Sequence, residues 1–285
     1  AAIGTIADVM PVRGENRQII SYGISIINSG AGHSGIREIL GKTPASSKSI
    51  SWDVAPLLNT PGRMGLTDLT VEFFLTESSA RVQELISEIN KLNRERRRLV
   101  TETIGRVMDK RTESDRFRGF FVYSDDTIMD GLAGLIANRM ADELKKPVII
   151  ICGSDESGVL KGSGRSVGGF NFLNHVLPFS HMFERIGGHA QAFGFSIQKE
   201  NVEQAMICID NSIGSGFQPC ETLSIDADIS PGIINAAFIQ GLSVLEPFGK
   251  ENEPPVFLSR GLNIISFQRF GTGSSHGKYT LAGGL

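Results

Sequence analysis

The sequence predicts an α/β protein with two lobes joined by one long helix and followed by a β-rich segment. Three observations predict this class. Strand-like and helix-like segments alternate between residues 117 and 217, apolar residues recur at helical spacing from 78 to 111, and short strand-like segments follow residue 221. The 285 residues, 40% of them hydrophobic, suffice for about two domains with cores of their own and exclude a disordered chain.

The first region, residues 1–77, has short apolar segments separated by loops that contain Gly, Pro, Ser and Asn. IGTIADVM is typical of a strand, so we expect residues 1–77 to be the end of an α/β layer that lacks its beginning. Asp8 would then follow the carboxyl end of a strand, where open α/β sheets bind ligands. A carboxylate there suits a divalent metal ion, and an Asp that caps a turn or the next helix is the alternative.

A proline-free helical pattern over residues 78–112 predicts a single long helix that connects two lobes. Between Lys91 and Arg118 there are ten Lys or Arg residues against five Asp or Glu, although the whole chain has a net charge of −3. Such a stripe suits a nucleic-acid backbone, although the solvated face of a long helix is the more frequent explanation.

Residues 113–217 form the most complete unit of the pattern. Strand FRGFFVYS, helix TIMDGLAGLIANRMADELKK, strand PVIIICG, a glycine-dense loop, a further helix and strand AFGFSI follow one another. This order predicts a compact α/β domain. From 218 to 285, the segments LSIDADI, PVFLSRGLNIISFQRF and KYTLAGG predict strands with one helix between them, as in a β-barrel that is left incomplete.

The glycine-dense segment KGSGRSVGGFNF, residues 161–172, is a candidate phosphate site. Its glycines permit close backbone approach, while Ser163 and Arg165 supply a hydroxyl and a guanidinium. The spacing fits neither a Walker loop nor a dinucleotide-binding GxGxxG motif. An ordinary glycine-rich hairpin is the alternative. His189, after Gly187 and Gly188, is either a donor to a phosphate or base edge or a turn histidine.

The sequence argues against a zinc-binding cysteine motif and against a membrane-spanning protein. The three cysteines have no zinc-like spacing, and we expect reduced thiols. The sequence contains no apolar stretch long enough to cross a bilayer and no basic-then-apolar leader, which predicts a cytoplasmic protein without a membrane partner.

Six motifs in one order resemble the RecJ exonucleases of the DHH phosphoesterase superfamily. They extend through nearly the whole chain: IGTIADVMPV, APLLNTPGRMG, LNRERR, KGSGRSVGGF, FERIGGHAQAFGF and EPFGKENEPPVF. The resemblance implies the C-terminal part of a DHH catalytic domain at 1–77, a linker helix at 78–112, a DHH-associated substrate-binding domain at 113–217, and a partial OB-fold nucleic-acid-binding domain at 218–285.

The same resemblance implies a 5′-to-3′ exonuclease of DNA repair and recombination that hydrolyses single-stranded DNA with two Mn²⁺ or Mg²⁺ ions. Asp8 resembles the last metal-binding aspartate of the catalytic lobe. Asn59 and Arg63 resemble residues that face the cleft between the catalytic lobe and the DHH-associated lobe. Ser163 and Arg165 correspond to positions that hold the 5′-terminal phosphate. Gly187, Gly188 and His189 correspond to an element that approaches the substrate backbone. The implied partner is single-stranded DNA with a 5′-phosphate, and a single-strand-binding protein or a helicase is a further candidate.

The sequence also departs from the family pattern. It contains neither a paired-aspartate motif upstream nor an Asp-His-His triplet, so we expect a fragment that lacks the N-terminal catalytic motifs and is inactive by itself. Two alternatives stay open. One is an oligonucleotide or cyclic-dinucleotide phosphodiesterase of the same superfamily, and the other is a module that binds nucleic-acid ends without hydrolysis.

Overall fold

The computed structural model describes residues 1–110, 117–154, 158–214 and 222–282. The chain divides into two compact units. The first consists of residues 1–32, 40–55 and 222–285, and the second of residues 33–39 and 56–221. Arg111 and Arg116 of the basic stripe, and Cys220 among the three cysteines, lie outside the described residues.

Residues 1–110 are described in full and contain helices but no strand. A π-helical turn at Ile50–Val54 lies between α4 and α5. The helices are α1 (Ala2–Ala7), α2 (Gly14–Ser29), α3 (Ser34–Leu40), α4 (Ser47–Ser49), α5 (Ala55–Leu58), α6 (Thr60–Arg63), α7 (Thr67–Leu75) and α8 (Ser79–Asp109).

The strand predicted for IGTIADVM is therefore wrong, and so is the α/β layer expected over residues 1–77. Residues Ala2 and Ile6 are buried, and their spacing of four is that of one helix face. Helix α1 packs on α2 at Gly23, where a Cβ atom would collide with the methyl group of Ala2. A short apolar run does not distinguish a strand from a buried helix, and here packing against α2 selects the helix.

Helix α8 confirms the predicted long helix. Its 31 residues correspond to about 46 Å of axis. The side chain of Ser78 caps its first turn by accepting a hydrogen bond from the backbone N–H of Arg81 at 3.4 Å. Its buried residues recur at helical spacing, which explains why the pattern was visible in the sequence.

The second unit contains a five-stranded sheet in the order β1-β2-β3-β5-β4. Strands β1 and β2 are parallel, and the other neighbours are antiparallel. The strands are β1 (Phe121–Asp125), β2 (Val148–Ser154), β3 (Val159–Arg165), β4 (Arg185–His189) and β5 (Ala192–Gln198). The helices are α9 (Asp130–Leu144), α10 (Leu173–Val176) and α11 (Val202–Ile213), with 3₁₀ turns at Leu177–Met182 and Lys199–Asn201.

Each face of this sheet is packed against helices. Helix α9 packs over β2 and β3, and Val100, Ile104 and Val107 of α8 join the same core. The opposite face carries a second core, to which α11 contributes Met206 and Ile209 and β5 contributes its phenylalanines. The α/β domain predicted from the alternation of segments is thus present in the described residues.

The C-terminal part of the first unit carries short strands and one helix, as predicted. Strands β6 and β7 are parallel, β8 and β9 form an antiparallel pair, and helix α12 lies between β6 and β7 in sequence. The elements are β6 (Ala227–Asp228), α12 (Ala236–Leu242), β7 (Phe257–Leu258), β8 (Ile264–Phe270) and β9 (His276–Leu281), with 3₁₀ turns at Pro231–Ile233, Ser243–Leu245 and Thr272–Ser274.

Candidate phosphate-binding site

Strand β3 divides its residues between the two faces of the sheet. Gly162 and Gly164 lie under the rings of Phe195 and Phe193, where a Cβ atom at either glycine would collide with the ring. Because side chains alternate along a strand, Ser163 and Arg165 project to the opposite face, toward α9. The loop predicted for this segment is therefore wrong over Val159–Arg165, since these glycines serve to pack aromatic rings within a strand.

Ser163 and Arg165 are in direct contact. Nη1 of Arg165 donates hydrogen bonds of 2.8 Å to the hydroxyl of Ser163 and of 2.8 Å to the carbonyl of Gly164. Ser163 is buried, and its hydroxyl donates to the carbonyl of Phe193 at 3.3 Å. The structure thus brings together the two residues expected to hold a terminal phosphate.

Arg63 lies close to this pair. Its Nη1 donates to the carbonyl of Gly131 at 3.4 Å. Burial lowers the pKa of Arg63, and burial followed by the nearby charge of Arg63 lowers the pKa of Arg165. Both guanidinium groups stay protonated at neutral pH because arginine titrates so far above it. Two half-buried positive charges side by side favour an anionic ligand.

Two glycines of α9 make room for these arginines. A Cβ atom at Gly131 would collide with the backbone of Arg63, and one at Gly134 would lie 2.6 Å from Nη2 of Arg165. The two glycines are three residues apart and therefore lie on one helix face. This face of α9 holds both arginines at the sheet surface.

Asp130 in the first turn of α9 offsets the partial positive charge at the N-terminus of this helix. Asp130 accepts a hydrogen bond of 2.9 Å from the backbone N–H of Gly131 and a second of 2.9 Å from Nζ of Lys161. The hydrogen bond from Lys161 is the main reason why the pKa of Asp130 is lowered. Since Asp130 neutralises the positive end of α9, the arginines are the groups left to bind an anion.

Strand β4 is an edge strand, and it presents the glycine–glycine–histidine element. In the sheet register, Arg165 and His189 flank Ala192 on β5, while Ser163 and Gly187 flank Gly194. Two strand spacings separate the Cα atoms of Arg165 and His189 by about 10 Å. His189 is exposed, so the expected histidine donor lies at the surface of the sheet.

Small residues form an open floor between Ser163 and His189. This open floor consists of Gly187, Ala192 and Gly194, and it lies on the same face as Arg165 because directly paired residues share a face. A Cβ atom at Gly187 would meet nothing within 4 Å, and one at Gly194 would meet only the carbonyl of Gly162 at 3.9 Å. Packing does not require glycine at either position.

Gly188 has a different role from its neighbour Gly187. Its φ is +150°, and a Cβ atom there would collide with the carbonyl of Ala192 and the backbone of Phe193. This glycine therefore shapes the edge strand, and a side chain would strain it.

Asn59 and Arg63 lie at the two ends of α6. Asn59 is the exposed residue before the helix, and its side chain makes no capping hydrogen bond. The hydroxyl of buried Thr60 donates to the carbonyl of Pro56 at 2.9 Å and contacts the amide oxygen of Asn93 on α8 at 3.4 Å. These contacts tie α6 to the long helix and so position Arg63.

Asp8 follows the end of helix α1 and is exposed. Its placement after a strand, on which the metal prediction depended, is wrong. Among the residues that the structure describes, no group of three or more His, Cys, Asp or Glu side chains could hold a metal ion. Asp8 also belongs to the first unit, whereas Ser163, Arg165 and His189 belong to the second.

The basic stripe of α8 divides into paired and unpaired residues. Arg98 forms ion pairs with Glu95 at 2.6 Å and Glu102 at 2.8 Å, and Arg106 lies 3.3 Å from Asp125. Arg96 has no ion pair among the described residues, and its Nε is buried without an acceptor. The paired residues fit the solvated face of a helix, and the nucleic-acid interpretation stays a prediction for the others.

Sequence reasoning missed several residues that build the site. Gly131 and Gly134 appeared only as part of a helix, and Ala192 and Gly194 only as part of a strand. The available signal was the alternation of glycine and polar residues from 161 to 165, which fits the period of a strand. The pairing of Asp130 with Lys161 joins residues 31 positions apart and left no local pattern.

Comparisons with known proteins agree with this architecture. Residues 118–214 match the family model of the DHHA1 domain, and residues 225–284 match that of the RecJ OB domain. The single-stranded-DNA-specific exonuclease RecJ of Bacillus subtilis (strain 168) is 26% identical over 291 residues, which cover 99% of this chain and 37% of the relative.

Two crystal structures of RecJ from Thermus thermophilus, one with Mg²⁺ and one with Mn²⁺, are similar to this chain. Their TM-scores are 0.84 and 0.85 at 25% identity, and the matches cover 99% of this chain and 44% and 42% of those chains. The chain thus spans less than half the length of these relatives. The α/β class and the resemblance to RecJ expected from the sequence are confirmed. The chain contains a DHHA1 domain and a RecJ OB domain, and nearly its whole length is similar to part of the RecJ exonucleases.

Proposed function

We propose that this chain binds the 5′-terminal phosphate of single-stranded DNA and is the end-binding part of a 5′-to-3′ exonuclease. The observation that carries the proposal is the contact of Arg165 with Ser163 at 2.8 Å, beside Arg63 and without an acidic partner among the described residues. A hydroxyl and two guanidinium groups together suit a phosphate. Relatives named as single-stranded-DNA-specific exonucleases support the choice of substrate.

Charge explains how such a site would select an end. A terminal phosphate monoester carries close to two negative charges near neutral pH, whereas an internal diester carries one. The planar fork of Arg165 can donate two hydrogen bonds to one phosphate. The open floor beside Ser163 leaves space for the first sugar, and exposed His189 lies at its far side as a further donor.

The domain assignment is part of the proposal. Residues 113–217 would be the substrate-binding domain and residues 218–285 a partial OB-fold that holds the strand. Residues 78–112 would be the linker helix, and residues 1–77 the C-terminal part of the catalytic domain. Within the described ranges, no helix is long and apolar enough to span a membrane. The proposed activity belongs in the cytoplasm, where a single-strand-binding protein or a helicase would supply the substrate.

The metal ions of the relatives do not fit the residues described in this chain. A two-metal site needs several carboxylate or imidazole ligands, and Asp8 has no such group beside it within the described residues. We therefore derive no hydrolytic step from these residues and propose that the 285-residue chain binds ends without cleaving them. Degradation of 5′-phosphorylated single-stranded DNA by the purified chain with Mn²⁺ would refute this.

Fluorescence anisotropy tests the proposed binding site. The chain is titrated against two oligonucleotides that differ only in a 5′-phosphate or a 5′-hydroxyl. Charge-assisted hydrogen bonds of about 1.5–3 kcal/mol predict a preference of roughly 10- to 100-fold for the phosphate. Arg165→Gln should abolish the preference, and Arg165→Lys should retain only part of it because the fork is lost.

Arg98→Gln is the matched control, since it removes one positive charge from an arginine that is already paired. It should leave the preference unchanged. Equal affinity of the wild-type chain for both oligonucleotides would contradict the proposal.

A further inference from the structure

A cavity of about 350 Å³ opens in the second unit between α8 and α9. Helix α8 contributes four residues to its wall, Arg96, Arg97, Val100 and Thr101, and helix α9 contributes Leu135 and Arg139. On each helix the wall residues recur at a spacing of four, so each helix turns one face toward the cavity. Three of the six wall residues are arginines.

These three arginines differ from Arg81 and Arg98 of α8. Arg81 pairs with Glu72 at 2.7 Å, and Arg98 pairs with two carboxylates. None of the cavity arginines has an ion pair among the described residues, and the Nε–H of Arg96 is buried without an acceptor. Like charges held together without partners cost stability, and such clusters mark functional sites.

Helix α9 connects the cavity with the phosphate site. Burial is the first cause of the lowered pKa of Arg96, and the charges of Arg97 and Arg63 follow. Arg63 also lowers the pKa of Arg165. Gly131, which contacts Arg63, recurs at intervals of four residues with Leu135 and Arg139 of the cavity wall, so one side of α9 extends from Arg63 to the cavity. We call Arg165, Arg63, Arg96 and Arg97 the arginine row.

We propose that the cavity between α8 and α9 binds an internal phosphodiester of the same single strand whose 5′ end lies at Ser163 and Arg165. This inference rests on the proposed function for the position of the 5′ end. A diester suits a cavity whose wall also carries Val100 and Leu135, because the flanking sugars bring apolar surface with the charge. The arginine row would hold the strand by its backbone and therefore without sequence preference.

Salt dependence of binding tests the cavity. Each phosphate contact on a single strand contributes about −0.7 to the slope of log K against log salt. The double variant Arg97→Gln/Arg139→Gln should flatten the slope by about 0.7 and weaken binding roughly fivefold at 0.1 M salt. Its preference for a 5′-phosphate over a 5′-hydroxyl should stay at the wild-type value. Arg98→Gln is the control on the same helix and should change neither the slope nor the preference.

A second measurement places the contact along the strand. Single methylphosphonate linkages, which carry no charge, are introduced in turn along a 5′-phosphorylated oligonucleotide. One internal position should weaken binding to the wild-type chain and have no effect on the double variant, as expected for one shared contact. The absence of any such position, or an unchanged salt slope in the double variant, would overturn the cavity proposal.

The two proposals fail in different ways. A chain without 5′-phosphate preference, but with one sensitive internal linkage, would contradict the proposed end site and support the cavity. A chain with the preference but with no sensitive linkage would support the end site and overturn the cavity.

Discussion

Strands β3, β4 and β5 all contain glycines, and these glycines form two groups with opposite physical roles. Gly162 and Gly164 on β3 and Gly188 on β4 are required by packing, because a side chain at each would meet a ring or the backbone. Gly187 and Gly194 are surrounded by open space. The difference indicates which glycines maintain the fold and which leave room for a ligand.

The packed glycines should affect stability, and the open glycines should affect binding. Replacing a packed glycine should destabilise the domain, and replacing an open glycine should fill the space beside Ser163 without affecting the core. The expected loss of stability is largest at Gly188 and decreases through Gly164 and Asp130 to Gly187.

Gly188→Ala should cause the largest loss of stability. The new Cβ atom would collide with the backbone of β5 at a φ of +150°, and backbone atoms cannot move aside as a side chain can. Conformational strain and overpacking together predict a loss of about 3 kcal/mol in the free energy of unfolding, measured by urea denaturation. Gly187→Ala is the matched control one residue away, and a similar loss in both variants would contradict the distinction.

Gly164→Ala should have the next largest effect. Its Cβ atom would lie against the ring of Phe193, which can shift within the core at some cost. Overpacking of this kind predicts a loss of about 2 kcal/mol in the free energy of unfolding. The companion variant Gly164→Ala/Phe193→Leu should recover part of the loss. If Gly164→Ala is as stable as the wild type, the ring contact does not explain this glycine.

Asp130→Asn should have a small effect that depends on pH. Lys161 lowers the pKa of Asp130 in the folded state, so the charged carboxylate stabilises the fold above the ordinary pKa of aspartate, about 4. The stabilisation is lost as the pH falls through the lower folded pKa. Because both side chains are largely exposed, we expect less than about 1 kcal/mol at pH 7 and no difference at acid pH, from urea denaturation at each pH. A difference that grows at acid pH would contradict this sign.

Gly187→Val should have the smallest effect on stability and a large effect on binding. No atom lies within 4 Å of the position that the new Cβ atom would take, so the free energy of unfolding should stay within about 0.5 kcal/mol of the wild-type value. The isopropyl group would occupy the open floor, and affinity for a 5′-phosphorylated oligonucleotide should fall at least tenfold. Unchanged affinity would exclude the floor from the binding site.

Part of the fold was predictable from the sequence. Helix α8 and the alternating elements after residue 117 were predictable because their apolar periods are long and are interrupted by clear stop signals. Residues 1–10 were mispredicted because a short apolar run fits a helix or a strand, and its packing partner Gly23 lies in another element. The glycine-dense segment was assigned to a loop because glycine has a low strand propensity, whereas the rings of Phe193 and Phe195 favour it in β3.

The candidate site was predictable only in its residue types. Ser163, Arg165 and His189 were identified from their motifs, and the sheet register places Arg165 and His189 opposite the same residue of β5. The placement of Arg63 against α9 depends on Gly131, and the sequence contains no local sign of that contact. Asp8 was wrongly placed although its residue type suited a metal ion. The strand that was expected to precede it is helix α1.

The position of the terminal phosphate tests the central claim most directly. A crystal structure of the chain with a 5′-phosphorylated trinucleotide would locate it. We predict its oxygens within about 3 Å of the Ser163 hydroxyl and the Arg165 guanidinium, with the first sugar over Gly187 and Gly194. A terminal phosphate bound at any other place, with Ser163 and Arg165 free of ligand, would contradict the account.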